Sequence, residues 1–148
     1  MIDGVVVTPL RRIADDRGAV MHMLRADSPV FRQFGEIYFS SVHPGKIKAW
    51  HYHHRMGLNY AVPVGRINFV LFDPRPHSPT HGQVQEIAVG GDDYALVSVP
   101  PGLWTGFQCV GQETAMVANC ATLAHDPSEA ERKDHDDPAI PYIWRERP

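Results

Sequence analysis

Short runs of β-branched and aromatic residues, interrupted every few positions by glycine, proline, aspartate or asparagine, constrain this chain more than any other feature. Such runs fall at residues 5–7, 19–24, 36–42, 47–53, 58–62, 66–72, 83–89, 95–99, 105–110 and 114–120. Side chains of these types fit the pleated surface of a strand, and the interruptions supply turn geometry. Turn signals stand at Pro44-Gly45, Pro63 to Gly65, Gly90-Gly91-Asp92-Asp93, Pro100-Pro101-Gly102 and Gly111. Many short strands at even spacing predict an all-β antiparallel sandwich or barrel. Helix is scarce. Residues 28–34, with Ser28 as cap and Pro29 in first position, and residues 128–133 are the two short helices expected.

The length of 148 residues predicts a single domain over residues 1–148, large enough for a core without disulfide or metal staples. No repeat or linker divides it. A net charge of −3 gives no general pull toward nucleic acid or anionic membranes, so neither is expected as a partner. An anionic ligand must therefore be held by local cations. Cys109 and Cys120 lie in apolar runs and read as buried thiols of a reducing compartment. Met1-Ile2-Asp3-Gly4 does not open a signal peptide, and no apolar run approaches the roughly 20 residues needed to cross a bilayer. A cytoplasmic location is expected. The tail, residues 121–148, is polar and proline-punctuated, yet Ile140, Tyr142, Ile143 and Trp144 predict that it packs back on the barrel.

The chemistry concentrates in Ile47-Lys48-Ala49-Trp50-His51-Tyr52-His53-His54. Alternation along a strand puts His51 and His53 on one face, Tyr52 and His54 on the other. Two readings follow: a pair of metal ligands, or a general base with a neighbour. Gly45 followed by His51-x-His53 matches the opening of the metal-binding cupin motif. That motif next needs a glutamate where this chain has Gly57 and Leu58, and a later histidine where Trp104 and Thr105 follow Pro100-Pro101-Gly102. A catalytic divalent ion normally takes three protein ligands, so no metal is expected. As a base, histidine has the pKa nearest neutrality and can take a proton from carbon beside a ketone. It needs a carboxylate to orient it, and Asp134, Asp136 and Asp137 are candidates if the tail folds over the barrel mouth. The alternative is a packed barrel histidine and a solvated run of aspartates.

Further motifs give a resemblance. Asp15-Asp16-Arg17-Gly18 matches Asp-(Asp/Glu)-Arg-Gly, and Lys48-Ala49-Trp50-His51-Tyr52 matches Arg-Gly-Leu-His-(Tyr/Phe). Val70-Leu71-Phe72-Asp73-Pro74-Arg75 and Ser78-Pro79-Thr80-His81-Gly82 follow a stretch ending in Asp-x-Arg and Ser-Pro-Thr-x-Gly. Val99-Pro100-Pro101-Gly102-Leu103-Trp104-Thr105-Gly106-Phe107 follows Ile-Pro-Pro-Gly-Phe-Ala-His-Gly-Phe, and Asp136-Asp137-Pro138 with Ile140 and Trp144 follows a closing Asn-Asp-Pro. In number, order and spacing these motifs resemble the dTDP-4-dehydrorhamnose 3,5-epimerase family. The resemblance implies a cupin-type jelly roll (a double-stranded β-helix), a homodimer paired through strands of residues 1–45, and no cofactor. It implies epimerisation at C3, C5 or both of a nucleotide-linked 4-keto-6-deoxy sugar. His51 is then the base and Asp137 its orienting carboxylate, with Arg17 and Lys48 on the nucleotide diphosphate.

The departures are equally specific. Leu58 stands where the family has a lysine, Thr105 where it has a second histidine, and Ala118 or Asn119 where it has the tyrosine that acts as general acid. A family glutamate is missing near His22. Substitutes for the lost donors are His53, Tyr60, Asn59 and Asn119, with Thr105 also in the substrate-binding set. Trp50 and Trp104 are expected in the core. Two rival readings remain: a cupin isomerase moving the keto group between C4 and C3, which needs one histidine and no opposing acid, and a non-catalytic sugar-nucleotide-binding module. A metal-dependent oxygenase ranks last.

Overall fold

The computed structural model describes residues 1–145, and the last three residues of the expected tail lie outside them. Strands run in chain order as β1 (Val6–Pro9), β2 (Arg12–Asp15), β3 (Gly18–Met21), β4 (Glu36–Val42), β5 (Ile47–His53) and β6 (Leu58–Val64). They continue as β7 (Arg66–Phe72), β8 (Val84–Gly90), β9 (Ala95–Val99), β10 (Trp104–Val110), β11 (Ala115–Ala121) and β12 (Ala130–Arg132). One five-stranded sheet has the order β1-β9-β6-β11-β4, a second the order β12-β5-β10-β7-β8, and β2-β3 stand apart as a hairpin. Every pairing is antiparallel. From β4 to β7, and again from β8 to β12, each strand crosses to the opposite sheet. That is the winding of a jelly roll.

The two sheets enclose a core of inward residues at alternate positions. Leu58, Tyr60 and Val62 of β6 face Ile67, Phe69 and Leu71 of β7, joined by Val97, Val99, Phe107 and Val117. Each such side chain contributes roughly 1.5–3 kcal/mol by leaving water. A second apolar cluster lies on the outer face of the second sheet, where Ile140 and Trp144 of the tail cover Trp50, Val70 and Trp104. Trp50 packs at 5.1 Å from Trp144, ring centre to ring centre, and its Nε1 donates to the carbonyl of His135 at 3.1 Å. Gly106 permits this: a Cβ there would lie 2.5 Å from the Cβ of Ala49 and 3.1 Å from the Trp144 ring.

A bulge in β5 shapes the site. Thr105 pairs with His51 but Gly106 pairs with Ala49, so one extra residue is accommodated at Trp50. Ala49 and Trp50 both join the outer cluster, and Lys48 and His51 both turn inward.

The two expected helices do not form. Residues 28–34 make only isolated turns, Ser28 to Arg25 and Phe31 to Ser28, because tertiary bonds claim the segment's end. Gln33 donates to the Thr122 carbonyl at 2.8 Å, and Gly35 to that of Ala121 at 2.8 Å. Residues 128–133 give a single 3-10 turn at Pro127–Glu129 and then β12, since edge pairing with β5 supplies backbone bonds that a six-residue helix would have to nucleate alone. Cys109 and Cys120 are both free, the former fully buried. Among the described residues, no helix is long and apolar enough to cross a membrane.

Candidate active site

His51 sits mid-strand in β5, flanked by Thr105 of β10 on one side and Arg132 of β12 on the other. Its ring is part-buried. Burial, then the positive charges of Arg132, His53 and Lys48, hold its pKa below the ordinary value. The imidazole is therefore neutral near pH 7, with a lone pair free to accept a proton. Among the described residues no hydrogen bond is made by the ring. Asp137 lines the same groove of about 460 Å³ as His51, together with Arg132, Lys133 and Asp134. Its carboxylate accepts from the backbone nitrogen of Ala139 at 2.8 Å and lies 4.0 Å from Lys133 Nζ. The expected His51–Asp137 pair thus shares a groove without being joined.

Two other carboxylates do engage imidazoles: exposed Glu131 pairs with His54 Nε2 at 2.7 Å, and Glu129, which the sequence placed only in a short helix, is the buried one. It is 3% exposed and bonds His53 Nδ1, while its other oxygen accepts from the backbone nitrogens of Arg55 at 3.1 Å and Met56 at 3.2 Å. Burial alone would raise its pKa, but the bonds from His53, Arg55 and Met56 outweigh that and hold it below the usual range. Glu129 so fixes His53 as a neighbour of His51. On the opposite strand face Tyr52 and His54 meet edge to face at 4.8 Å, in keeping with the alternation. No group of three or more His, Cys, Asp or Glu is arranged to hold a metal ion among the described residues.

On the facing sheet, β4, β6 and β11 carry further polar groups. Asn119 is fully buried, and its Nδ2 donates to the Tyr38 hydroxyl at 3.0 Å while its Oδ1 accepts from the Asn59 backbone at 3.1 Å. Tyr60 lies between the sheets, edge on to Phe69 at 5.0 Å. Burial, with the Tyr38 hydroxyl beside it, pushes its pKa well above the ordinary value, so Tyr60 keeps its proton. Lys48 reaches over from β5 and donates to Ser40 Oγ at 2.9 Å. Thr105 is buried beside His51, donating to its carbonyl at 3.5 Å.

Two predicted residues lie elsewhere. The Asn59 side chain turns to the outer face of its sheet, bonding Cys120 and Ser98 at 3.0 and 2.8 Å. Arg17 caps the β2-β3 hairpin, its side chain 85% exposed and, among the described residues, bonded only to Asp15. Tyr38, which sequence reasoning passed over, is one of three successive apolar or aromatic residues, Ile37-Tyr38-Phe39. The run has no polar contrast to mark which side chain faces inward.

A jelly roll whose facing sheets carry an imidazole of lowered pKa, a lysine and several hydroxyl and amide groups is a cupin-type fold suited to moving protons on and off carbon. The profile of the dTDP-4-dehydrorhamnose 3,5-epimerase family matches residues 1–148, and the chain belongs to that family of sugar epimerases. It is 32% identical over 146 residues to the spore coat polysaccharide biosynthesis protein SpsL of Bacillus subtilis, covering 97% of each chain. It is 34% identical over 143 residues to a probable low-salt glycan biosynthesis epimerase of Haloferax volcanii, covering 95% of this chain and 88% of the relative. The crystal structure of a dTDP sugar isomerase from Desulfovibrio desulfuricans superposes with a TM-score of 0.95 at 46% identity, over 97% of this chain and 92% of that one.

Proposed function

We propose that this protein inverts C3, C5 or both of a nucleotide-linked 4-keto-6-deoxy sugar, with His51 as the base. The observation that carries this reading is the part-buried His51 imidazole, unbonded among the described residues, in a groove it shares with Asp137 in a chain of the sugar epimerase family. The ketone at C4 acidifies the neighbouring C–H bonds. His51 takes one such proton, and the electrons move onto the C4 oxygen as an enolate. Lys48 and, in protonated form, His53 are the cations that face this charge from β5. Asp137, on the rim of the same groove, is the carboxylate assigned to steady the imidazolium. Such bonds commonly close only with substrate in place.

We further assign a homodimer working in the cytoplasm, with the nucleotide diphosphate held partly by Arg17 of a second copy. Support comes from the detached β2-β3 hairpin, whose paired Ile13 and Val20 are both exposed, and from exposed Ile37 and Phe39 on the edge strand β4. Arg17, at the tip of this hairpin, is 85% exposed at its side chain and so is open to a ligand of a neighbouring copy.

The test is a proton NMR time course in deuterated water with a dTDP-linked 4-keto-6-deoxy sugar. The parent protein exchanges deuterium into C3 or C5 and yields the inverted product. His51→Ala loses exchange by at least 100-fold, the usual weight of a general base. Retained exchange in that variant rules out His51 as the base.

A further inference from the structure

Inversion at carbon needs a proton delivered from the side opposite the base, and we infer that the hydroxyl of Tyr38 delivers it. This rests on the epimerase reading above and adds the second half of the reaction.

Register places Tyr38 across from His51. On β5, Lys48 pairs with Phe107 and His51 with Thr105, two positions apart along β10. On β4, Ser40 pairs with Val117 and Tyr38 with Asn119, two positions apart along β11. Lys48 of the second sheet donates to Ser40 Oγ of the first at 2.9 Å. The chain leaves the β4-β5 turn along both strands, so one equal step from the Lys48–Ser40 bond reaches His51 on one sheet and Tyr38 on the other. Packed sheets stand about 10 Å apart, which leaves room for a sugar ring between an imidazole and a phenol.

The hydrogen bonds at Tyr38 suit a donor. Its oxygen receives the Asn119 amide at 3.0 Å and is approached by the Tyr60 hydroxyl, which keeps its own proton. With hydrogens arriving from both, the Tyr38 hydrogen is left to point into the cavity. The same two groups remain on the oxygen when the proton has gone. Tyr38 is also 40% exposed, unlike fully buried Asn119, so its hydroxyl is open to a ligand. Tyr60, by contrast, is enclosed by Phe69 and Phe107 and serves Tyr38 rather than the substrate.

The step balances. The C–H bond at C3 or C5 breaks toward His51, and the pair of electrons forms the C4 enolate. The enolate collapses to the ketone as the carbon takes the Tyr38 proton on its other face. This leaves imidazolium and phenolate, which together carry no net charge and are reset by proton exchange through solvent.

Tyr38→Phe removes one oxygen from a side chain near the surface and leaves the apolar packing in place. In deuterated water this variant is expected to lose inverted product by at least 100-fold. His51-dependent deuterium uptake with retained configuration is expected to stay within about threefold, since return of the proton from the His51 side needs no partner. Asn119→Ala, a positioning residue here, shifts the ratio of product to exchange the same way by a smaller factor. A Tyr38→Phe protein that epimerises within about threefold of the parent overturns the assignment, as does one that loses exchange along with product. A parent protein that neither exchanges nor epimerises overturns the epimerase reading and this inference with it.

Discussion

His53 and Glu129 are bonded where β12 joins β5, so the strand carrying His51 is fastened to the segment that leads into the tail. The same carboxylate holds the backbone of Arg55 and Met56, the turn by which the chain leaves β5 for the opposite sheet. One buried charge therefore sets the end of β5, the start of β12 and the orientation of the imidazole next to His51. Its cost in desolvation is offset by three hydrogen bonds, one of them to a histidine.

Glu129→Gln keeps an acceptor for the two backbone nitrogens but loses the charge that binds His53. Urea denaturation at pH 7 should show a loss of about 1–3 kcal/mol. The pH dependence has a fixed sign. The folded pKa of Glu129 lies below its ordinary 4.5, so the unfolded carboxylate takes up its proton first. Its stabilisation is complete above about 4.5 and is lost as pH falls through the folded value. The gap between parent and variant should narrow in that acid range; a gap that widens there contradicts the assigned ionisation.

The proposed base makes a kinetic prediction. In the proposed role His51 acts only when neutral, and its pKa lies below the ordinary 6.5. The acid limb of kcat/KM should therefore fall below pH 6.5, with activity lost as His51 becomes protonated. After burial, the charge of Arg132 is the largest cause of that shift. Arg132→Gln should move the limb upward, toward 6.5, since removing a positive neighbour makes the imidazolium easier to form. A pH profile in which the limb stays put or moves down refutes the role given to Arg132.

Most of the strand frame was legible because short runs of β-branched and aromatic residues are bounded by turn-forming glycine, proline, aspartate and asparagine. Residues 36–42, 47–53, 66–72 and 95–99 coincide with β4, β5, β7 and β9. β2, Arg12-Ile13-Ala14-Asp15, escaped because all its residues are exposed and no face is buried to impose alternation. β12 escaped because its pairing is decided by β5, some 80 residues away, not by its own propensity. The site was legible in its chemistry and not in its partners. Glu129 and Tyr38 meet His53 and Asn119 through contacts of 76 and 81 residues' separation, which no local pattern encodes. Asp73-x-Arg75 and Ser78-x-Thr80 teach the reverse lesson. They read as one more family motif, yet the structure makes them a loop cap, with a fully buried Asp73 carboxylate taking bonds from Arg75, Ser78 and Thr80.

The outer cluster gives the last prediction. Gly106 faces the tail from the middle of β10, where an added Cβ meets the Ala49 Cβ at 2.5 Å and the Trp144 ring at 3.1 Å. Ala49 is fixed by the bulge that turns Lys48 and His51 inward, so it cannot retreat without disturbing His51. The ring is the freer of the two neighbours. Gly106→Ala should therefore push Trp144 off Trp50 and cost about 1–3 kcal/mol, the range for overpacking a filled site. The displaced tail should be cut faster by trypsin at Arg145, and Trp144 fluorescence should shift to the red. If instead the variant keeps its protease resistance but loses deuterium exchange, the strain has gone into the β5 bulge, and Ala49 rather than Trp144 is the neighbour that gives.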